Sequence, residues 1–97
     1  TLTNSIRINL GWCYYKKSNY SEAIDEYRNT LSAGPLDLNT RQWLTFEIGR
    51  CSFFLKNNEE ALDAFREAVS VNPDTKLAQK ARTNIEDIER LMKSEKI

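Results

Sequence analysis

Apolar side chains recur every three or four residues along most of the chain, the spacing of helices that each keep one side dry. Asn4–Lys17 and the stretch from Leu38 to Lys56 carry this pattern without an internal proline. Asn19 and Asn57 interrupt it and are predicted to cap the helices that follow, which run over Ser21–Ala33 and Asn58–Val71. Glu22, Glu59 and Glu60 fall in those first turns, where the helix dipole favours acids. Gly34-Pro35 and Asn72-Pro73 are predicted stops, because a proline bars the preceding residue from helical geometry. After Pro73, Asp74 or Thr75 is predicted to cap a last helix running to about Lys93. Its apolar residues Leu77, Ala78, Ala81, Ile85, Ile88, Leu91 and Met92 form one stripe.

The pattern is also periodic at long range. Shifted by 38 residues, Asn4–Pro35 falls on Gln42–Pro73 with nine identities: Gly11/Gly49, Cys13/Cys51, Asn19/Asn57, Glu22/Glu60, Ala23/Ala61, Asp25/Asp63, Arg28/Arg66, Ser32/Ser70 and Pro35/Pro73. Ordinary composition would give roughly two matches over such a span. Leu10/Ile48, Tyr15/Phe53, Tyr27/Phe65 and Leu31/Val69 are conservative pairs besides. The chain therefore repeats one helical hairpin, and self-similarity of this kind marks stacked arrays. Repeat one is read as residues 4–37, repeat two as about 38–74, and a capping helix as about 75–94, within a single domain.

In each unit glycine precedes alanine by 12 residues, alanine precedes an aromatic by 4, and the aromatic precedes proline by 8. The first unit supplies Arg7, Leu10-Gly11, Tyr14, Ala23, Tyr27 and Pro35; the second supplies Thr45, Ile48-Gly49, Ser52, Ala61, Phe65 and Pro73. Over Asn4–Thr75 the chain thus resembles the tetratricopeptide repeat family. Arg7 and Thr45 stand where the family has a large apolar residue, and Ser52 where it has an aromatic. The four residues beyond the usual period, around Leu38–Arg41, are predicted to lengthen the second unit's first helix by a turn. The resemblance implies an all-α fold: a right-handed superhelical stack of two antiparallel helix pairs with a closing fifth helix. Small Gly11, Ala23, Gly49 and Ala61 would let paired helices approach closely. Cys13 and Cys51 would then sit at equivalent places on successive first helices. Helices pack about 8–10 Å apart, too far for a disulfide, so both are expected to stay reduced as half-buried packing residues.

Composition narrows the function. Fourteen basic and fourteen acidic residues cancel, leaving no net field to draw nucleic acid or an anionic membrane. No apolar run is long enough for a spanning helix. There is no histidine, hence no imidazole base, nucleophile partner or metal ligand. Two separated cysteines do not build a zinc site, and the three glycines stand apart rather than forming a phosphate loop. Asp25-Glu26, Glu59-Glu60 and Glu86-Asp87 diverge around their helices, while Glu86–Arg90 and Glu89–Lys93 have the spacing of surface ion pairs. The expectation is a protein without enzymatic activity, cofactor or metal.

What remains is a binding surface. In stacked hairpins the first helix of each pair lines the concave side. Opposite Gly11 lie Ser5, Ile8, Trp12 and Tyr15; the matching positions of the second unit are Trp43, Phe46, Arg50 and Phe53. The last helix would add Leu77, Lys80 and Asn84. The functional reading is an aromatic groove that holds a partner peptide or helix, edged by Arg50 and Lys80 for carboxylates. The competing reading has these aromatics covered by the closing helix, by an upstream repeat or by a second copy. Some tetratricopeptide proteins bind acidic chaperone C-termini through a Lys, Asn and Arg clamp. Ile8, Trp12 and Glu47 stand at the corresponding places, so no such binding is expected.

Leu2, Ile6 and Leu10 would leave an apolar edge at the start of the stack. We therefore expect further repeats upstream or homo-oligomerisation through that edge. Thr1 in place of methionine suggests a piece of a longer protein, and no signal peptide is evident in its opening residues. The function expected is a protein–protein interaction scaffold; the alternative is a non-catalytic regulatory, targeting or self-assembly segment of something larger. The partner and the compartment are open, although unpaired cysteines lean towards the cytoplasm.

Overall fold

A computed structural model of the chain describes residues 3–95. It contains five helices: α1 (Asn4–Lys16), α2 (Tyr20–Ser32), α3 (Leu38–Phe54), α4 (Asn58–Val71) and α5 (Lys76–Glu95). Each packs mainly on its sequence neighbours, and α3 makes a smaller contact with α5. The order is the expected one: two hairpins followed by a closing helix. At 17 residues α3 is one turn longer than α1, which has 13, so Leu38–Arg41 does extend the helix.

The close approach within each hairpin has a simple steric origin. A Cβ on Gly11 would meet the ring of Tyr27 at 2.6 Å, and one on Gly49 would meet the ring of Phe65 at 2.8 Å. Tyr27 and Phe65 therefore fill the dents that the glycines leave. Tyr27 also receives Trp43 edge-on, with centroids 5.5 Å apart, while Phe65 receives Phe46 at 5.3 Å. Tyr27 thus bridges its own hairpin to the next helix, whereas Phe65 meets Phe46 within its own hairpin and reaches α5 through the core it shares with Ala81 and Ile88. Ala23, Ile24, Tyr27, Leu44, Ile48 and Cys51 make one core; Ala61, Leu62, Phe65, Ala68, Ala81 and Ile88 make the other.

The helix ends correct three expectations. Asn19 and Asn57 stand at the N-cap positions of α2 and α4, yet neither side chain makes a capping hydrogen bond. Their backbones close the preceding helices instead. Asn19 N–H donates to Tyr14 C=O and Ser18 N–H to Tyr15 C=O; Asn57 donates to Ser52 and Lys56 to Phe53 in the same way. With Ser18 at φ 64° and Lys56 at φ 65°, both turns are Schellman motifs with a non-glycine in the left-handed position. This also ends α1 and α3 at Lys16 and Phe54, short of Lys17 and Lys56, and starts α2 at Tyr20. Working caps occur elsewhere: Thr3 accepts from Ile6 N–H, Asp37 from Thr40 N–H and Thr75 from Ala78 N–H.

Among polar groups, buried Gln42 does the most to join elements. Its Nε2 donates to the carbonyls of Ala68 and Asn72, each at 2.8 Å, and its Oε1 accepts from the Thr75 hydroxyl at 2.8 Å. One side chain of α3 thereby ties the end of α4 to the start of α5. The surface charges of α5 pair otherwise than expected. Arg90 bonds Asp87 instead of Glu86, and Glu89 reaches Arg66 on α4 instead of Lys93. Both cysteines are free, but they differ in surroundings: Cys13 is exposed and Cys51 fully buried. Burial pushes the Cys51 thiol up to about 12. No helix among the described residues is long and apolar enough to cross a membrane.

Candidate binding groove

The inner surface forms between α3 and α5. Phe46, Arg50, Lys80, Thr83 and Asn84 line one end of a groove. Arg50 and Asn84 continue into a cavity of about 230 Å³ floored by Phe53, Phe54, Phe65 and Ile88, with Asp87 at its rim. Five of the expected residues, Phe46, Arg50, Phe53, Lys80 and Asn84, thus meet in one concavity. Phe46 serves as floor: it is buried, with its ring turned against Phe65.

The expected single aromatic face divides here. Trp43 is half-buried against Tyr27 and belongs to the first core, as does half-buried Ile8. Trp12 remains with the outer aromatic surface, and half-buried Tyr15 joins that surface to the first core. Their rings stack at 5.3 Å, and Tyr15 leans on Phe54 at 6.2 Å. Phe54 also stacks on Tyr20 at 4.9 Å and adjoins Phe53 at 6.2 Å. A chain of rings therefore runs from α1 across the α1–α2 turn to α3 and into the groove. Trp12, Phe53 and Phe54 are each more than a third exposed.

The repeat pattern does not point to Phe54 or Tyr20. Matching the two repeats carries Trp12 onto Arg50 and Lys16 onto Phe54, so the aromatic changes register between units. The adjacent pair Phe53-Phe54 at a helix end was the available signal, because on a tightening last turn both rings cannot be buried on one side.

Arg50 organises the electrostatics. Its guanidinium lies 4.9 Å over the Tyr15 ring, donates to the Tyr15 hydroxyl, and donates to Glu47 Oε1 at 2.9 Å. Glu47 is 2% exposed, and its Oε2 has no hydrogen-bond partner among the described residues; the Tyr27 and Ser52 hydroxyls are orphaned likewise. Burial raises the Glu47 carboxyl above the usual range, with the Arg50 charge and hydrogen bond pulling part of the way back. Burial, then the Glu47 charge, holds the Tyr27 hydroxyl far above the ordinary tyrosine value. With Arg50 satisfied by Glu47 and Tyr15, exposed Lys80 is the groove's cation without an ion-pair partner among the described residues. The described residues contain no group of three or more His, Cys, Asp or Glu that could hold a metal ion. The arrangement can hold an apolar side chain over Phe53, Phe54 and Ile88 and place a carboxylate by Lys80.

A family profile for the tetratricopeptide repeat matches the chain twice, over residues 5–33 and 46–75. No curated protein matches it as a relative. The first matched stretch covers the α1–α2 hairpin and the second runs from the middle of α3 through α4, and repeats of this kind generally mediate protein–protein interaction without catalysis.

Proposed function

Because the chain belongs to the tetratricopeptide repeat family, we propose that it binds a partner peptide or helix in the α3–α5 groove. The observation that carries this is the exposed pair Phe53 and Phe54 beside an apolar floor, with Lys80 on the rim. Exposed aromatics next to a desolvated pocket are the usual anchors of an interface. The ligand so defined has one bulky apolar side chain, for the Phe53–Ile88 end, and a carboxylate towards Lys80. In this reading the chain recruits and does not catalyse, and it uses no cofactor. It also leaves acidic chaperone tails unbound, since Arg50, the inner groove cation, is already committed to Glu47.

The test is a peptide library selected on the wild-type chain, followed by calorimetry of the selected sequences. Phe53→Ser/Phe54→Ser, with helicity unchanged by circular dichroism, is expected to weaken binding at least about tenfold, corresponding to 1.4 kcal/mol. Lys80→Glu is expected to weaken peptides carrying the carboxylate and spare those lacking it. Binders indifferent to both variants, or no binders at all, would defeat the proposal.

A further inference from the structure

The equal numbers of acidic and basic residues conceal a separation. The outer helices α2 and α4 hold seven carboxylates, four of them Glu59, Glu60, Asp63 and Glu67 of α4, against Arg28 and Arg66 and no lysine. The compensating cations lie on α1, α3, α5 and the turns. The apolar edge at the start of the stack has a plainer use. Ile6 and Leu10 match Leu44 and Ile48, which pack on α2, so that edge is a face for repeat stacking; Leu2 lies outside the described residues.

Between α2 and α4 the outer side opens into a groove of about 390 Å³. Its floor is apolar, made by Leu31 of α2, Ala64 of α4 and, reached between them, Ile48 of α3. Glu60, Asp63 and Glu67 line the α4 wall, and Arg28 stands on the other. Steps of three and four residues put the three acids on one face of α4. Arg28 meets Glu60 at 4.0 Å, which leaves Asp63 and Glu67 without an ion-pair partner among the described residues. Folding gives no reason for this row. Glu59 and Glu60 occupy the first turn of α4, where the dipole favours acids, but Asp63 and Glu67 lie beyond it. Like charges one turn apart on a helix repel. At the α4–α5 seam, by contrast, Glu89 bonds Arg66 at 3.1 Å with Lys93 nearby.

We propose that the α2–α4 groove docks a basic segment of a partner protein, which seats an aliphatic side chain on Leu31, Ile48 and Ala64 and turns lysine or arginine towards Asp63 and Glu67. The complementarity is double. The unpaired carboxylates call for cations, and a bare cation would leave the apolar floor uncovered, so the ligand carries both kinds of group. Ile48 serves this groove, whereas Phe46 and Arg50 serve the one between α3 and α5. The two surfaces are separate, and this one stands whether or not the other binds peptides.

The probe is a random peptide library displayed on phage, selected on the full chain and counter-selected on Asp63→Asn/Glu67→Gln. Selected peptides are then titrated by calorimetry. The expected sequences hold an aliphatic residue flanked by lysine or arginine, and the double variant weakens them about fivefold or more. High salt weakens them as well. Phe53→Ser/Phe54→Ser is expected to leave their binding unchanged, which separates this groove from the α3–α5 one. The double variant itself should melt no lower than the wild type, because it removes a repulsion. The proposal is overturned if no binder senses the double variant, if the binders lack basic residues, or if spermine competes as well as the peptides do. A double variant that melts lower would also overturn it, since the acids would then serve the fold. So would sedimentation showing self-association that the double variant abolishes, since the groove would then hold a second copy.

Discussion

Tyr27 Cε1 lies where a side chain on Gly11 would begin, 2.6 Å from an ideal Cβ. The ring has no room to retreat, because it is fully buried and Trp43 abuts it on the other side. In an open helix Gly→Ala gains up to about 1 kcal/mol from propensity. Here overpacking, typically about 1–3 kcal/mol, wins. Gly11→Ala and Gly49→Ala are each expected to lower stability in urea titrations. Gly49→Ala is a second instance of the same contact, with Phe65 at 2.8 Å. A gain in either variant would mean that the hairpins open more easily than their packing implies.

Gln42 offers a sharper polar test. Gln42→Leu keeps the volume but leaves the Ala68 and Asn72 carbonyls without their donor. An unsatisfied buried group costs about 1–3 kcal/mol, so a loss of about 2–3 kcal/mol is expected. Thr75→Val removes both the bond to Gln42 and the cap on Ala78. A double-mutant cycle should show the two substitutions coupled by more than about 0.5 kcal/mol; additivity would deny the shared network.

Glu47 predicts a pH dependence. Its folded carboxyl is raised by burial, with Arg50 opposing, so folding favours the protonated form. The stability it contributes is complete below the ordinary glutamate value of about 4.3 and is lost as pH rises through the raised value. Glu47→Gln is neutral throughout and can still accept from Arg50. It should therefore be more stable than the wild type at pH 7 and no different at pH 3.5, measured by denaturation at both. A loss at pH 7 would show that the ion pair outweighs the buried charge.

The two Schellman turns predict opposite responses at neighbouring residues. Lys56 at φ 65° carries a left-handed penalty of about 1 kcal/mol or more, and glycine returns part of it as unfolded-state entropy. Lys56→Gly is expected to raise stability by about 0.5 kcal/mol. Asn57→Ala should cost less than about 0.5 kcal/mol, since its side chain caps nothing, whereas Thr75→Ala should cost about 1 kcal/mol. Thermal melts of the three variants decide the order.

The fold was legible because its two strongest signals reinforce each other: helical spacing and a 38-residue echo with fixed glycine, alanine, aromatic and proline offsets. Those offsets record the Gly11–Tyr27 and Gly49–Phe65 contacts directly. What escaped was whatever depends on rotation about a helix axis by less than one residue. Spacing alone puts Trp43 and Phe46 on an open face, yet Trp43 packs on Tyr27 of the preceding hairpin and Phe46 on Phe65 of its own. Phe54 is hidden by the repeat itself, which matches it to Lys16. The asparagines at 19 and 57 have the right identity for caps. The backbone took their place in the sequence for another purpose, and composition carries no trace of that choice. Gln42 looked like one more polar residue until the two carbonyls it serves were in view.

Since every helix rests chiefly on its sequence neighbours, the molecule behaves as a row of leaning books and not as a sphere with a centre. α1 is propped from one side alone, and α3 from both. Amide hydrogen exchange should consequently run as a gradient, fastest in α1 and slowest in α3 and α4, with the first hairpin able to open while the second holds. A row of this kind can be tuned at one end, by whatever steadies its first member, without redesigning the rest.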